Sequence, residues 1–569
     1  MINRFKNGSE LFIGFLIIWT LINAIQAGFM ELHPDEAYYW IYSRFLDWGY
    51  FDHPPMVALF IKAGDALFHS KFGLRLFTII TNTISVYFLW EILKKYSRDV
   101  KLFIILFSSI LIFHIYGFIT TPDSPLFFFS ILFFYVYQRY VEEDKAKWAI
   151  LLSLIIAGMF YSKYHGVLLV FFTVISNFSL FKRPSFYFII GLALVLFLPH
   201  IYWQIQNGYP SLYYHLIDRS SKPYQFQYTS DYLLGQLLIA GPLVGWFLYK
   251  AAVSVKINDV FIRAVKFNFY GIFIFFLLST FKGRVEPHWT LIAFTPLFVL
   301  SYLYLNQRPA TIRWFKKLAF INIALILLVR ILLIIPFPGI KDNKQVAYYF
   351  GAKKWANTLK TYAGDSPVII LGGFQEASQY DFYNRTLQGF AYDSRFYRKN
   401  QFDIWPLEDS LQNKRSYYVN KESHGTDIKQ DTIRSAKGIF YGRWINNVRI
   451  FQKVAIETQA DDDRWKASGL RKLKLSIYNP YNHSIAFGNK NQEWKCSLEY
   501  GFMLKGKIND FKPVGSNFNN LIIPPNQSVD ISVVIRAPAN PGEYKLIFSI
   551  RTEPFPGSRN SRMIPVTIN

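Results

Sequence analysis

Cysteine and acidic residues are scarce in this 569-residue sequence, and internal repeats and low-complexity segments are absent. The single cysteine, Cys496, excludes an internal disulfide, which fits a bacterial surface domain without proving one. Asp and Glu total 38 against 62 Lys and Arg, so the formal net charge is +24. Because no basic stripe follows a soluble helical pattern, this charge does not indicate nucleic-acid binding, and we expect no nucleic-acid partner.

The first apolar run does not have the pattern expected of a cleavable secretory signal. The first apolar run is long, and the residues from Met30 to Pro34 follow it in place of a small-x-small cleavage site. We therefore expect the first run to be a retained helix.

Apolar residues, by contrast, make up 52% of the chain and concentrate in residues 1–337. A run of about 20 apolar residues is needed to cross the hydrocarbon core of a bilayer. Runs near that length predict a polytopic α-helical membrane domain with about eleven transmembrane helices, since one water-soluble core could hardly bury them all. The runs are 11–29, 73–93, 102–119, 124–141, 148–162, 165–181, 185–203, 231–250, 263–281, 289–306 and 316–336.

The charged turns between these runs predict a topology. Arg4 and Lys6 flank the first run and place the N-terminus in the cytoplasm, and the turns that then face the cytoplasm are rich in Lys or Arg, as the positive-inside rule requires. The remaining loops, and everything after residue 337, face outside. They hold nearly all the unusual polar residues, which we expect to form one extracytoplasmic site. These residues are His33, Asp35, Glu36, Asp52, His53, Asp123, Lys163, His165, Arg219, Arg284, Glu286 and His288.

The first outer loop, residues 30–72, is too long for a simple connection and should carry structure of its own. Pro34, Asp35 and Glu36 suit the first turn of a short helix in the membrane interface. Capping of that helix would be enough to explain a single acidic residue. Here the acidic pair lies beside Asp52-His53-Pro54-Pro55 near the membrane surface, where unused carboxylates are costly, so a functional role is favoured.

These residues resemble the first loop of the protein O-mannosyltransferase and aminoarabinose (lipid A) transferase superfamily, whose members are GT-C glycosyltransferases. Many members of the aminoarabinose branch carry Glu-Lys where this chain has Asp52-His53, so contacts with a donor phosphate or a metal would differ. The likeness rests on His33-Pro34-Asp35-Glu36-Ala37-Tyr38-Tyr39, Asp52-His53-Pro54-Pro55, Phe72-Gly73-Leu74-Arg75-Leu76, Thr121-Pro122-Asp123-Ser124-Pro125-Leu126, and Gly158 through Gly166 with Lys163.

The resemblance implies a polyprenyl-phosphate sugar as donor and an inverting single displacement. An acceptor hydroxyl benefits from a base, and by motif position that base is Asp35; Glu36 would orient it or hold a helix end. Asp123 is the third expected catalytic residue, although helix-end charge explains it equally well. The leaving phosphate needs positive charge or a metal nearby. The expected phosphate-binding residues are Asp52, His53, Arg75, Lys163, Arg219, Arg284 and His288, with Lys222 and Lys282 as further candidates.

Several of these residues also fit structural roles. Lys and Arg near span ends commonly extend to lipid headgroups, and the charged loop from Lys282 to Trp289 can equally be internally paired. The outer histidines and Asp52 could supply metal ligands, but no pair has a recognised ligand spacing. No cofactor is therefore indicated with certainty, and a divalent metal stays open.

The last third of the chain predicts two extracytoplasmic domains. In residues 338–444, a strand pattern ends at Gly372-Gly373 and a helical pattern follows, which predicts a small α/β domain; the glycines indicate a tight turn more than a phosphate site. In residues 445–569 the apolar period changes to two, as at Leu473, Leu475 and Ile477. This pattern predicts an immunoglobulin-like β-sandwich.

The sequence as a whole predicts a multi-pass glycosyltransferase of the plasma (inner) membrane, with its C-terminal domains in the periplasm. It would contact membrane lipids, take a polyprenyl-phosphate-linked sugar and glycosylate a lipid, glycan or protein. Rich use of Phe, Ile, Tyr, Lys and Asn suggests an AT-rich bacterium, and hence undecaprenyl phosphate. Alternatives are a transporter or flippase of lipid-linked sugars, which would need polar residues at mid-membrane depth, an inactive scaffold, and a glycan polymerase or ligase with a diphosphate-linked donor.

Overall fold

The computed structural model of the chain consists of two compact units, Met1–Tyr349 and Phe350–Asn569. The first unit is helical, and the described part of the second combines two α-helices and short 3-10 turns with β-sheets. The residues that the structure describes are 2–218, 223–335, 349–392, 399–423, 429–435, 437–458, 464–514 and 516–569, together with Gly339 and Arg395.

The described part of the first unit contains sixteen α-helices, and short 3-10 or π turns join some of them. In chain order they are α1 Ile2–Phe29, α2 Pro34–Tyr42, α3 Met56–Leu67, α4 Lys71–Leu93, α5 Val100–Ser108, α6 Leu111–Ile115, α7 Asp123–Glu142, α8 Ala146–Ser162, α9 Gly166–Ser176, α10 Pro184–Gln206, α11 Pro210–Tyr213, α12 Phe226–Ala240, α13 Gly245–Ser254, α14 Val260–Ser279, α15 Leu291–Asn306 and α16 Pro309–Ile334.

Six of these helices are long and apolar enough to cross a membrane, and a seventh span results if α12 and α13, bent by 90°, count as one. They lie at Gly8–Phe29, Lys71–Leu93, Pro184–Gln206, Val260–Lys282, Pro287–Asn306 and Ala310–Ile334. The sequence predicted about eleven. The other predicted runs also form helices, but α5 and α6 are broken apart, α8 and α9 are short, and α7 has charged residues at both ends.

Two helix breaks inside the bundle meet at one side chain, that of Asn322 on α16. Its Oδ1 accepts the Leu243 backbone N–H at 3.0 Å, between α12 and α13. Its Nδ2 donates to the Ser109 carbonyl at 2.7 Å, between α5 and α6. Gly241, with φ +132°, allows the close approach, because a Cβ there would lie 2.6 Å from the Ser109 oxygen. Asn322 thus pairs backbone groups that a helix break leaves open in an apolar interior.

The first outer loop folds into α2 and α3, as its length predicted. His33 caps α2: its ring Nδ1 accepts the Asp35 N–H at 3.2 Å, and its own N–H donates to Glu36 Oε2 at 2.9 Å. The buried carboxylate of Asp65 on α3 accepts hydrogen bonds from Trp40 Nε1, at 3.2 Å, and from Arg44. The α2 segment is therefore docked on α3 by a polar contact as well as by apolar packing.

The second unit begins with helices α17 (Ala352–Ala363) and α18 (Phe374–Asn384) and a five-stranded sheet of order β2-β1-β3-β5-β4. Strand β1 is parallel to β2 and β3, and β5 is antiparallel to its neighbours. Gly372 and Gly373 have φ values of +128° and +93° and form the tight turn before α18, as the sequence indicated. The strands are β1 Val368–Ile370, β2 Gly389–Ala391, β3 Ser416–Asn420, β4 Asp431–Ser435 and β5 Gly438–Ile445.

The rest of the unit is β-rich, and its described strands form sheets of order β11-β10-β14-β15-β7, β13-β8-β6 and β12-β9. Leu473, Leu475 and Ile477 alternate with more exposed neighbours and are buried, as the period of two predicted. The strands are β6 Ala455–Thr458, β7 Arg464–Trp465, β8 Leu470–Tyr478, β9 Ile485–Ala486, β10 Cys496–Leu504, β11 Lys507–Pro513, β12 Ile522–Ile523, β13 Ser528–Arg536, β14 Gly542–Thr552 and β15 Ile564–Ile568.

Candidate active site

The N-terminus of α2 presents two acidic side chains in different surroundings. Glu36 is fully buried and forms a salt bridge with the equally buried Arg75 of α4: Nε donates to Oε1 at 2.8 Å and Nη2 to Oε2 at 2.5 Å. Glu36 Oε1 also accepts the Thr120 N–H at 2.9 Å. The Asp35 side chain is one-third exposed, and its Oδ2 lies 3.8 Å from His33 Nδ1. Of the pair, Asp35 is therefore the residue that a substrate can reach.

Arg75 was expected to bind the donor phosphate, but the structure gives it another role. Besides the two bonds to Glu36, its Nη1 donates to the carbonyls of Ala27 and Met30 at 3.0 and 3.1 Å, and its Nη2 donates to that of Glu31 at 3.0 Å. All five guanidinium N–H groups are thus used. Arg75 ties the end of α1 to α2 and has no donor left for a phosphate.

Asp123, at the first position of α7, pairs with Lys163, the residue after α8. Lys163 Nζ lies 2.9 and 2.8 Å from the two Asp123 oxygens, and both side chains are buried. The His288 Nε2 is 3.9 Å from Asp123 Oδ2, and the His288 side chain is 41% exposed. Three loops that are remote in sequence therefore meet around one buried ion pair.

Asp52 and His53 lie at the tip of the first outer loop. The Asp52 side chain is buried and accepts a hydrogen bond from the Tyr42 hydroxyl. The Asp52 carbonyl lies 3.0 Å from His215 Nε2, and Tyr50 stacks on Tyr42 at 3.9 Å between ring centroids. The loop tip is thus fixed by aromatic residues on both sides.

His53 is a neutral group in this setting. Its pKa is lowered to about 3, chiefly by burial; the charge of Asp52 opposes this shift, and that of Lys163 contributes to it. Among the described residues, its buried Nδ1 has no hydrogen-bond partner. A neutral imidazole cannot supply the charge that the phosphate needs, but its open nitrogen can exchange a hydrogen bond with a sugar or acceptor hydroxyl.

One buried phenol shows that the acidic residues share a site. The pKa of Tyr39 is well above its ordinary value, first because it is buried and then because of the charges of Asp35, Asp52 and Asp123. All three carboxylates are therefore within electrostatic reach of the Tyr39 hydroxyl. The structure brings together the acidic residues that the sequence singled out, although they come from three separate loop segments.

Two of the remaining cations from the sequence prediction, Arg284 and Lys282, have exposed side chains. Arg284 is two-thirds exposed and pairs with Glu286 of its own loop at 3.2 Å, which is the internal pairing that the sequence left open for that loop. Lys282 is exposed. Arg219 and Lys222 lie outside the described residues.

Sequence reasoning missed the network that holds the loop tip. His200 on α10 contacts the Trp48 carbonyl through Nδ1 at 2.7 Å and the Tyr164 hydroxyl through Nε2 at 3.0 Å. Ser211 accepts from Gln204 Nε2 at 2.8 Å and donates to the Tyr50 carbonyl at 2.9 Å. These residues lie in or beside apolar runs. Their position relative to the ends of those runs is the only feature of the sequence that could have identified them as part of the network.

The described residues contain no group of three His, Cys, Asp or Glu side chains placed to hold a metal ion. What they do contain is a partly exposed carboxylate that can accept a proton, Asp35, and a buried lysine, Lys163, that can face an anion. This combination suits displacement of an anionic leaving group by a hydroxyl.

Comparison with known proteins adds to this geometry. Residues 52–203 match the family model of dolichyl-phosphate-mannose-protein mannosyltransferases. No curated protein sequence gives a significant match. The crystal structure of apo ArnT from Cupriavidus metallidurans superposes with a TM-score of 0.57 at 14% identity, over 76% of this chain and 98% of that one. Its complex with undecaprenyl phosphate gives 0.56 at 15% identity, over 76% and 97%. At these identities the two structures establish the fold.

Proposed function

We propose that this chain, a glycosyltransferase of the GT-C superfamily that contains the protein O-mannosyltransferases and the aminoarabinose transferases, moves a sugar from a polyprenyl-phosphate carrier to a lipid, glycan or protein at the outer face of the membrane. The observation that carries the proposal is the contrast between the partly exposed Asp35 and the saturated Glu36 beside it. Glu36 is engaged by Arg75 and by the Thr120 N–H, so Asp35 is the carboxylate of the pair that an acceptor hydroxyl can reach and that can take its proton.

In the proposed reaction the acceptor oxygen attacks the anomeric carbon from the side opposite the phosphate. The bond between that carbon and the phosphate oxygen breaks, the phosphate leaves with the electron pair, and the acceptor proton moves to Asp35. Inversion at the anomeric carbon follows from the single displacement. No step needs a general acid, because a phosphate is already a good leaving group.

Lys163 is the proposed electrostatic partner of the leaving phosphate. It is buried, its position is fixed by two contacts to Asp123, and its charge also acts on His53. A fixed cation in a water-poor site stabilises developing negative charge at little reorganisation cost. Asp123 then acts as the residue that orients Lys163, and Asp52 and His53 face the donor from the loop tip.

The donor and the topology complete the proposal. The related ArnT structure holds undecaprenyl phosphate, and we propose the same carrier here. We place the multi-pass chain in the inner membrane with its N-terminus in the cytoplasm, about eleven spans, and Phe350–Asn569 in the periplasm as a small α/β domain followed by an immunoglobulin-like sandwich.

The test is a transfer assay with the full chain in lipid nanodiscs, native membrane extract and a panel of undecaprenyl-phosphate and undecaprenyl-diphosphate sugars, together with a translocation assay of the full chain in sealed vesicles. Release of undecaprenyl phosphate, with the sugar recovered on an acceptor, supports the proposal. Release from diphosphate-linked donors alone would favour a polymerase or ligase. Movement of intact lipid-linked sugar across sealed vesicles without release would favour a transporter and overturn the proposal.

A further inference from the structure

Arg330 is a buried guanidinium near the outer end of α16, in a helix apolar enough to cross the membrane. No carboxylate of a described residue lies within ion-pair distance of it. Charged groups inside a membrane domain are expensive and persist where they are used. The contacts of Arg330 show which helices this buried charge joins.

The Arg330 guanidinium makes its hydrogen bonds to α1 and α6. Its Nη2 donates to the Ile22 carbonyl at 3.3 Å and to Asn23 Oδ1 at 3.0 Å, and its Nε donates to Gln26 Oε1 at 3.3 Å. Its Nη1 lies 3.3 Å from His114 Nδ1. Gln26 Nε2 returns a bond to the Arg330 carbonyl at 3.2 Å. Arg330 therefore binds α1 at three residues, Ile22, Asn23 and Gln26.

Arg75 binds the end of α1 and the residues that follow it. It donates to the carbonyls of Ala27, Met30 and Glu31, and Ala27 comes directly after the last residue that Arg330 contacts. Together the two arginines contact six of the ten residues from 22 to 31. His33, which caps α2, comes two residues later, and the proposed base Asp35 two after that.

Both guanidinium groups also lie against one ring. The Phe118 centroid is 5.4 Å from the Arg75 guanidinium carbon and 5.3 Å from that of Arg330. Phe118 is buried with Ala27 and Met30 in a small apolar cluster. Two residues after Phe118, the Thr120 N–H donates to Glu36. Through Phe118, the Arg330 contacts thus connect to the segment that contains Thr120 and positions α2.

We infer that Arg330 is a positioning residue for the proposed transfer reaction: together with Arg75 and Phe118 it fixes the last turns of α1, and so the place where α2 presents Asp35. This rests on the proposed function for its catalytic part. A misplacement of about 1 Å far from the reacting atoms can cost on the order of 100-fold in rate. A residue that only joined helices would lower stability without this effect.

The first experiment compares kcat and KM for Arg330→Gln with the parent, using the full chain in nanodiscs. A matched control is Asn268→Leu, which removes a buried membrane-domain amide bonded to Thr173 of α9 and Ala264 of α14. We expect Arg330→Gln to lower kcat by about 10- to 100-fold and to change KM by less than about threefold. Asn268→Leu should lower the Tm but keep kcat. Arg330→Gln with kcat within about twofold of the parent would overturn the inference.

A second readout needs no substrate. Spin labels at Phe29→Cys, the exposed end of α1, and Tyr87→Cys, on the exposed side of α4, report the position of the α1 end; Cys496 is replaced by Ala in all samples. We expect one narrow distance distribution in the parent and in Asn268→Leu, and a broadened one in Arg330→Gln. A distance distribution in Arg330→Gln as narrow as that of the parent would contradict the inference. If the parent transfers no sugar, the proposed function fails, whereas this measurement still decides whether Arg330 fixes the α1 end.

Discussion

Glu36 and Arg75 are joined by two parallel hydrogen bonds of 2.8 and 2.5 Å, and both side chains are entirely buried. Glu36→Gln leaves an uncompensated buried guanidinium, and we expect it to lower the free energy of unfolding by about 3–5 kcal/mol. The measurement is thermal unfolding of the full chain in detergent.

Its control is Glu142→Gln, which opens the exposed Lys95–Glu142 pair and should cost less than about 1 kcal/mol. Replacing both buried partners, with Glu36→Leu and Arg75→Met together, should be less destabilising than either single change. Equal losses at the buried and the exposed pair would contradict the role that the contacts assign to Glu36 and Arg75.

Asp35→Asn keeps the shape of the side chain and removes the proposed base. We expect kcat to fall by about 10²- to 10⁴-fold, because that is what a general base typically contributes. The Tm should change little, since the Asp35 side chain is one-third exposed. Glu286→Gln, in the exposed pair with Arg284, is the matched control and should keep its activity. A folded Asp35→Asn variant with normal kcat would remove Asp35 from the mechanism.

Lys163 is predicted to act on the donor phosphate as well as on Asp123. Lys163→Met alone leaves a buried carboxylate unpaired and should destabilise the chain. Lys163→Met combined with Asp123→Asn should regain most of that stability, yet KM for the donor should stay about 10- to 100-fold raised, as expected for the loss of one charged hydrogen bond. Recovery of both stability and donor KM in the double variant would show that the pair is structural only.

Stability of the second unit should depend on pH through Glu408. This buried carboxyl accepts hydrogen bonds from the Tyr481 hydroxyl and the Gln452 N–H, both at 2.7 Å, and burial raises its pKa to about 7. The pKa of this carboxyl is higher in the folded chain than in the unfolded chain, where it is about 4.3. As far as Glu408 is concerned, the free energy of unfolding is therefore highest below about pH 4.3. That stability is lost as pH rises through about 7, and the loss amounts to about 3 kcal/mol.

Unfolding of the full chain between pH 4 and 8 measures this dependence. Glu408→Gln should make it less steep, because the buried Asp381 and Asp403, whose pKa values burial also raises, still contribute. Asp409→Asn, which changes a half-exposed neighbour paired with Lys453, should leave it unaltered. An unchanged slope in Glu408→Gln would assign the pH dependence to other groups.

Asn322→Leu tests the junction of the two helix breaks. It leaves the Leu243 N–H and the Ser109 carbonyl without their partner in an apolar interior. Each unpaired group costs about 1–3 kcal/mol, so a clear drop in Tm is expected. A Tm equal to that of the parent would mean that water or a rearranged backbone satisfies both groups.

The sequence indicated which acidic residues the structure brings together. Asp35, Asp52 and Asp123 are charged residues in loops between apolar runs, and the positive-inside rule predicts that these loops lie on one side of the membrane. The roles of Arg75 and Arg284 could not be predicted in this way. A motif position cannot tell an arginine that is free to bind phosphate from one whose five donors are already used, because that depends on carbonyls of a different helix.

The positions of the helix breaks show the same limit. Hydropathy located the apolar runs, but breaks at Ser109 and at Gly241 depend on side chains far along the chain, above all Asn322. His53 is a further case: its neutral state follows from burial by surrounding elements, which no local pattern encodes.

The sequence by itself determined that the first 337 residues form an apolar helical domain, that the remainder is polar and partly β-structured, and that acidic residues collect at one set of loop ends, because transfer of apolar runs out of water and loop charge are local properties. Only the tertiary structure decided which carboxylate stays partly exposed, which arginine is saturated and where the two buried arginines meet Phe118. Those outcomes depend on contacts between helices that are distant in sequence. Burial of a charged side chain is costly unless it forms ion pairs or hydrogen bonds with its neighbours.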